Sequence, residues 1–495
     1  MTLQASSAVC PPVRGVPLPD AYPGDVLRAS ADLHAVAERT VAIATEAGAR
    51  EAIVFTERSA RFDLRVDGGV IVSARAGVDS GTSLSVRVAR DRVSTVMPRS
   101  GFAEVVRADV LAAVAAAGPR LPDHVVVGMP RRSRAKDDHP RRQPARVIGA
   151  RELVHAQALA EAAESGARER LDDLAHVLVG VSQVRQEVAT ASDDDPVRSE
   201  LRLRSRLVVQ VSVQRGYVQQ VVNLAPGRLG ALLSWRLADA REIGRDAADT
   251  ALRRLNAQPC PTGMMPVVLA PAAAGLLAHE AFGHALEADA VCGDGSLFAG
   301  QFGRQLGSVG LTVVDDPTIA ESWVHLATDD EGVTAAPTVL IEEGRVAGTL
   351  TDRATSASGH GNGHGRRSGY AAPALPRMSN TYIVPGSVDP DSLIADVEHG
   401  LYVVDMDAGE MAWSTQRCSF LATEAYLIEN GRIGDRVWGG LIQGYGPDVL
   451  RAVDAVGDDL AWRQAMCNKH GHWVPVSYGS PTLRLGFADV TGPSL

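Results

Sequence analysis

Two histidines and a glutamate stand close together in an otherwise apolar stretch: His279, Glu280 and, after Ala281, Phe282 and Gly283, His284. Imidazoles bind divalent metals, most commonly zinc in such settings, and leave at least one position for water. A carboxylate beside a ligand can take that water's proton and pass it to a leaving amine. The metal's share is to acidify the water and polarise a carbonyl, so the chemistry suggested is hydrolytic. The familiar helical zinc motif spaces its histidines four residues apart, so that both face one way. Here they are five apart, and at about 100° per residue their directions differ by roughly 140°. Two remedies exist. A single π turn returns residues five apart to one face, or the helix loosens at Gly283, where distortion is cheapest.

Two histidines do not complete a site. Glu287, Asp289, His360, His364, Cys418, Cys467, His470 and His472 are all candidates for a third ligand. Cys467 is attractive because thiolates bind zinc strongly, and it opens what reads as a polar loop running to His472. The plain alternative is a small buried residue. The segment from Gly359 to Arg367 is rich in glycine and histidine but lacks the Gly-Lys-Ser/Thr ending of a phosphate loop, so nucleotide binding is not expected. It reads as a loop approaching the cleft, where Arg366 or Arg367 holds a peptide carboxylate or carbonyl, or else as an ordinary surface loop. The segment from Met378 to Val384, with Asn380, reads as a strand to which an extended substrate adds, or more safely as an internal strand.

The elements that must position these groups follow from periodicity. A strand-like run, Pro266 to Ala270, leads through Pro271 into a helix over Ala272 to Ala288, and proline is tolerated at a helix start. Before it, helices are expected near Ser30–Ala47, Ala103–Ala117, Glu152–Ala175 and Leu237–Leu255. Short strands are expected at Ala52–Phe55, Arg61–Val66, Val70–Ala74, Leu84–Val88, Val93–Met97, Val177–Arg185, Leu201–Arg206 and Leu207–Val213, with Asp67-Gly68-Gly69 as a hairpin turn. Beyond Pro266 the chain becomes a series of short β-rich runs, with Glu343-Gly344 and Asn430-Gly431 as further turns. The expected class is α+β: an N-terminal α/β domain, then a mainly antiparallel β domain carrying the metal-site helix. The expected division is a flexible leader over 1–29, a first domain over 30–257 and a second over 258–495.

Composition narrows the functions. With 49 basic against 59 acidic residues, a net charge of −10 and 4% aromatics, the chain lacks the basic surface and stacking platforms of a nucleic-acid binder. The basic run from Pro130 to Arg146 contains Asp137 and Asp138 and reads as a solvated loop. Five scattered cysteines without a CxxC pair suit a reducing cytoplasm. The longest apolar stretch, Met264 to Leu286, is broken by Pro266 and Pro271 and carries the His-Glu motif, so no membrane span is expected.

The stretch from Met265 to Asp289 resembles the signature of the TldD/PmbA family of modulator-of-gyrase-type metalloproteases. Further segments resemble that family: Phe298–Gly303, Val313–Pro317, Asp329–Gly332, Gly363–Tyr370, Pro376–Tyr382, Thr423–Gly431 and Gly479–Leu483. The intact motif is similar to that of the metal-bearing TldD-like members rather than the TldE/PmbA-like partners. The resemblance implies zinc held by His279, His284 and Cys467, with Glu280 as general base. It also implies a heterodimer with a TldE-like subunit around a closed cavity, and small or unfolded peptides as substrates, including leader peptides and antitoxins. A metal-dependent amidase of natural-product maturation and a non-catalytic regulatory subunit are the rivals. The leader, the 130–146 insertion and the region Asp405–Trp413, which lacks a glycine-rich run, depart from the family pattern.

Overall fold

The computed structural model describes residues 25–87, 93–96, 125–127, 148–172, 175–216, 218–293, 296, 298–412 and 417–493. The helix expected over Ala103–Ala117 and the basic run over 130–146 lie outside them, as does the leader up to residue 24. Helix α1 runs from Asp25 to Glu46, so its first turn occupies the end of the expected leader.

The N-terminal half is a sheet with helices against it. Its strands are β1 (Glu51–Asp67), β2 (Val70–Arg87), β3 (Val93–Val96), β4 (Val125–Val127), β5 (His176–Ser192), β6 (Arg198–Arg215), β7 (Val218–Leu224) and β8 (Gly227–Leu229). The order is β4-β3-β2-β1-β5-β6-β7, with β8 also on β6. Gly68 and Gly69, both with positive φ, close the β1–β2 hairpin as the turn signal requires. The strands are longer than their hydrophobic runs. Ala52–Phe55 and Arg61–Val66 are parts of one strand, and so are Leu201–Arg206 and Leu207–Val213. The polar residues between or within those runs, among them Glu57, Arg202 and Arg204, look like breaks in sequence but are buried and bonded to the second half of the chain.

Helices α2 (Ala150–Arg168) and α3 (Leu237–Leu255) pack on this sheet and on each other. Their contact is lined by Ala156, Ala160, Ala163 and Ala167 on one side and Ala240, Ala247, Ala248 and Ala251 on the other. It is close enough that a Cβ on Gly244 would lie 1.9 Å from the Ala163 carbonyl oxygen.

The C-terminal half has a core of its own that begins at Cys260, whereas the N-terminal core clusters end at Leu255. That segregation supports, as a proposal, the 257/258 division. Its strands are β9 (Gln258–Pro259), β10 (Gly263–Leu269), β11 (Val313–Asp315), β12 (Thr338–Glu342), β13 (Arg345–Val346), β14 (Gly365–Arg366), β15 (Leu375–Pro376) and β16 (Asn380–Ile383). They continue as β17 (His399–Ala412), β18 (Arg417–Glu429), β19 (Arg432–Trp438), β20 (Gly440–Tyr445), β21 (Val453–Val456), β22 (Ala461–Lys469), β23 (His472–Ser480) and β24 (Leu483–Thr491). Strands β17-β10-β24-β20-β18 pair in that order, and β18 pairs back to β17, so this sheet closes on itself. A second sheet runs β13-β12-β11-β16-β23-β22. Helix α4 (Pro271–Leu277) and the turns after it contact β17 of the closed sheet and β16, β22 and β23 of the second, so the metal-site motif lies between the two. The α+β class, with an α/β first half and a β-rich second half, is therefore what the chain adopts.

Replacing Gly244 by alanine tests the helix contact. Helix propensity favours alanine by up to about 1 kcal/mol, but the clash with backbone should cost about 1–3 kcal/mol. The expected outcome in urea unfolding is a net loss of stability, and a gain would show that the helices can separate freely.

Candidate metal centre

The motif is positioned from strand β10. The chain leaves Leu269, turns at Ala270 and starts α4 with Pro271 in its first turn. After Leu277 the helix takes in one additional residue per turn, giving a π turn from Ala278 to Gly283. The His284 N–H donates to the His279 carbonyl five residues earlier, which is the register that realigns residues five apart. Packing fixes where the glycines fall. A Cβ on Gly283 would lie 2.0 Å from the Met378 sulfur, and one on Gly275 would lie 3.0 Å from the Tyr478 ring. A 3₁₀ turn, His284–Leu286, follows and ends at Glu287.

Cys467 arrives from the other sheet. It lies in β22, opposite Val474 of β23, rather than in a loop. His470 and Gly471, both with positive φ, form the tight turn of that hairpin, a signal hidden in the sequence because histidine is not a usual residue there.

Three ligand atoms of His279, His284 and Cys467 lie within 4.8 Å of one another. The Cys467 sulfur is 3.4 Å from His279 Nε2 and 3.1 Å from His284 Nε2. The two rings meet edge to face with centroids 5.0 Å apart. A tetrahedral cation bonded to sulfur at about 2.3 Å and to nitrogen at about 2.0–2.1 Å requires ligand separations of about 3.3–3.6 Å. The three groups therefore fit a zinc-like ion. No other cluster of this kind is found among the described residues.

Electrostatics favour the ligating form of the sulfur. Burial alone pushes the Cys467 thiol up, but His279 and His284, by charge and hydrogen bonding, hold its pKa at about 4. Burial opposes a charged His284, yet the Glu287 carboxylate and Cys467 raise its pKa well above the ordinary value. Glu280 is partly exposed, with Oε2 4.0 Å from His284 Nε2, and among the described residues no hydrogen-bond donor occupies its carboxylate. Tyr478, on β23, sets its ring 5.8 Å from the His279 ring. Burial is the main reason its phenol is pushed up to about 12, with the Glu280 charge among the smaller contributions. Sequence reasoning missed Tyr478, since a lone tyrosine two hundred residues from the motif carries no spacing signal.

None of the other third-ligand candidates joins the cluster, although His472 keeps a buried Nδ1 without a partner among the described residues. Glu287 accepts from His284 Nδ1 at 3.0 Å, on the far side of the ring from the cluster. Asp289 pairs with Lys469, His364 with Asp315, and Cys418 donates to the Gly444 carbonyl. His360 and His470 are exposed and His472 is half-buried. The residues expected to bind substrate are also buried. Arg366 donates to the Met378 carbonyl, and Arg367 to Ser83 Oγ and the Ala372 carbonyl. The Asn380 amide donates to the carbonyls of Asp316 and Val324 and accepts from Ser322. Strand β16 is paired on both edges, with β11 and β23. A substrate cannot add to it, and the internal-strand reading is the correct one.

Comparison with known proteins identifies the family of the chain. Residues 262–492 match the model of the PmbA/TldA metallopeptidase C-terminal domain. A metalloprotease TldD homolog from Haemophilus influenzae is 35% identical over 327 residues, covering 64% of this chain and 67% of that protein. A zinc metalloprotease TldD homolog from Saccharolobus solfataricus is 27% identical over 61% of this chain and 68% of its own length. The chain spans a little over half the length of several other curated relatives. The crystal structure of TldE from Thermococcus kodakarensis superposes with a TM-score of 0.68 at 18% identity, covering 92% of this chain and all of that one. No described helix is long and apolar enough to cross a membrane.

The charge state of the cluster is directly measurable. In metal-free protein, thiolate absorbance near 240 nm, referenced to a Cys467→Ser variant, should persist on acidification and titrate away with a midpoint near pH 4. A midpoint near the ordinary thiol value would mean that the imidazoles do not face the sulfur. A cysteine strand and a π-turned histidine helix meeting at one point, in a sequence that matches these relatives, establish that the chain belongs to the TldD/PmbA metallopeptidase family.

Proposed function

We propose that this chain is a zinc-dependent peptidase of the metal-bearing, TldD-like type. The observation that carries the reading is the convergence of His279, His284 and Cys467 beside the carboxylate of Glu280, which accepts no hydrogen bond among the described residues. A zinc ion held by those three residues would supply the positive charge that acidifies an attacking water and polarises the scissile carbonyl. Glu280 acts as general base: its carboxylate accepts the water's proton and returns it to the departing amine. Tyr478 keeps its phenolic proton, because its pKa is far above neutrality, and is the candidate donor to the oxyanion that develops on the carbonyl. His279 and Cys467 are buried, which limits water to the face that Glu280 opens.

The substrates we propose are small or unfolded peptides of leader-peptide or antitoxin type, taken into a closed cavity formed with a TldE-like partner. The intact ligand set favours this over a non-catalytic regulatory subunit. A likeness in fold to TldE supports a paralogous pairing, because two copies of one architecture make natural partners. A reducing cytoplasm is the proposed compartment, since Cys260, Cys292, Cys418 and Cys467 are all free and the site depends on an unoxidised thiolate.

The reading is tested by separating metal from activity. Glu280→Gln should retain one zinc per chain while peptide cleavage falls by about 10²–10⁴-fold. Cys467→Ser should lose zinc and activity together. Zinc content by mass spectrometry and cleavage of a quenched fluorescent peptide, with and without the partner, decide it. Full activity in Glu280→Gln would remove the assigned base.

A further inference from the structure

Glu287 is fully buried and sits between both ligand-bearing elements. On one side its Oε2 receives His284 Nδ1 at 3.0 Å, which leaves Nε2 as the nitrogen facing Cys467. On the other side the same oxygen receives Lys469 Nζ at 2.8 Å, and Arg377 Nε stands 3.5 Å from Oε1 as an ion pair. Lys469 lies two residues beyond Cys467 on β22 and is also tied to Asp289 at 2.6 Å. Arg377 donates to the Cys467 carbonyl at 3.2 Å and to the His472 carbonyl at 3.0 Å. The carboxylate therefore touches one ligand directly and reaches the other through two cations that grip its strand. His279 has no equivalent, for its Nδ1 is buried with no partner among the described residues.

We propose that Glu287, backed by Lys469 and Arg377, is the positioning residue of the metal centre: it fixes the His284 tautomer that leaves Nε2 free to ligate, and it locks the Cys467 strand to the histidine helix. The inference rests on the zinc-peptidase reading above. A buried carboxylate is costly unless paired, and two cations plus an imidazole N–H are more partners than charge neutrality alone demands. Fixing one imidazole nitrogen by a hydrogen bond determines which nitrogen ligates, and loss of such a bond usually weakens metal binding 10–100-fold. Because only His284 has this support, the site's affinity is expected to depend on it unequally, more through His284 than through His279.

The test measures zinc affinity by chelator competition, with the imidazole ¹⁵N spectrum of the zinc-loaded protein, which reports which ring nitrogen ligates, as a second readout. Glu287→Gln keeps an acceptor but loses the charge and should weaken zinc binding about 10-fold. Glu287→Leu removes the acceptor, should weaken it about 100-fold, and should release the His284 tautomer preference. Lys469→Gln should give a smaller loss than Glu287→Gln, with the tautomer retained. Thermal melts of the metal-free variants confirm folding, and if Glu287→Leu does not fold, the two glutamine variants decide between the outcomes. Folded variants with wild-type zinc affinity and an unchanged His284 spectrum overturn the proposal. A wild-type chain that binds no zinc would instead overturn the metal-centre reading on which it rests.

Discussion

Helical register is the constraint on which this site depends. Side chains five residues apart on an α-helix point away from each other, by roughly 140° for these two histidines. Adding one residue to a single turn recovers the difference. The cost is a local loss of α-helical hydrogen bonding, and such turns persist where surrounding packing compensates. Here the packing is visible on the segment between β15 and β16. Met378 fills the place where a side chain on residue 283 would lie, so the packing requires glycine at that position of the π turn. The Met378 carbonyl in turn is held by the buried Arg366. That gives the glycine- and histidine-rich segment a role behind the metal helix.

The charges around the cluster alternate outward. The Cys467 thiolate lies against two imidazoles, the second imidazole against Glu287, and Glu287 against Lys469 and Arg377. Complete burial would raise the Glu287 pKa, yet His284 and the two cations hold it at about 2. Such a sequence tolerates burial because every ion has an opposite neighbour, and removing one member strands the next. It also explains why the third ligand can come from a strand almost two hundred residues from the motif. Lys469 and Arg377 secure that strand by ionic contacts as well as by the sheet ladder.

The histidine pair, the carboxylate beside it and the need for a helix anomaly were all legible in the sequence, because residue types at short spacing carry their own geometry. Helix α3 was legible to its ends, since Leu237–Leu255 has an uninterrupted period. The long N-terminal strands were not. Their buried polar residues imitate turns unless the surface that covers them is known. By residue type alone Cys467 is one of eight candidates, and it is the family resemblance that singles it out, for strand pairing over that distance leaves no local signal. The loop reading of Arg366 and Arg367 met the same limit. Glycine-rich surroundings suggested an open loop, but these side chains satisfy backbone groups inside the protein.

Those polar interruptions also show how the two halves are joined. Arg202 on β6 pairs with Asp330 at 2.6 Å, and the other Asp330 oxygen accepts the Arg367 N–H at 2.7 Å. Arg367 reaches back to Ser83 on β2, while the Tyr370 N–H donates to Glu57 on β1 at 2.8 Å. The segment carrying Arg366 and Arg367 is thus held by three strands of the N-terminal sheet and, through Met378, touches the π turn. An apolar interface of the same area would satisfy burial without fixing the direction of the chain. Hydrogen bonds to individual backbone groups do fix it. The N-terminal sheet therefore contributes no ligand, but it sets the orientation of the segment against which the metal-site helix is distorted.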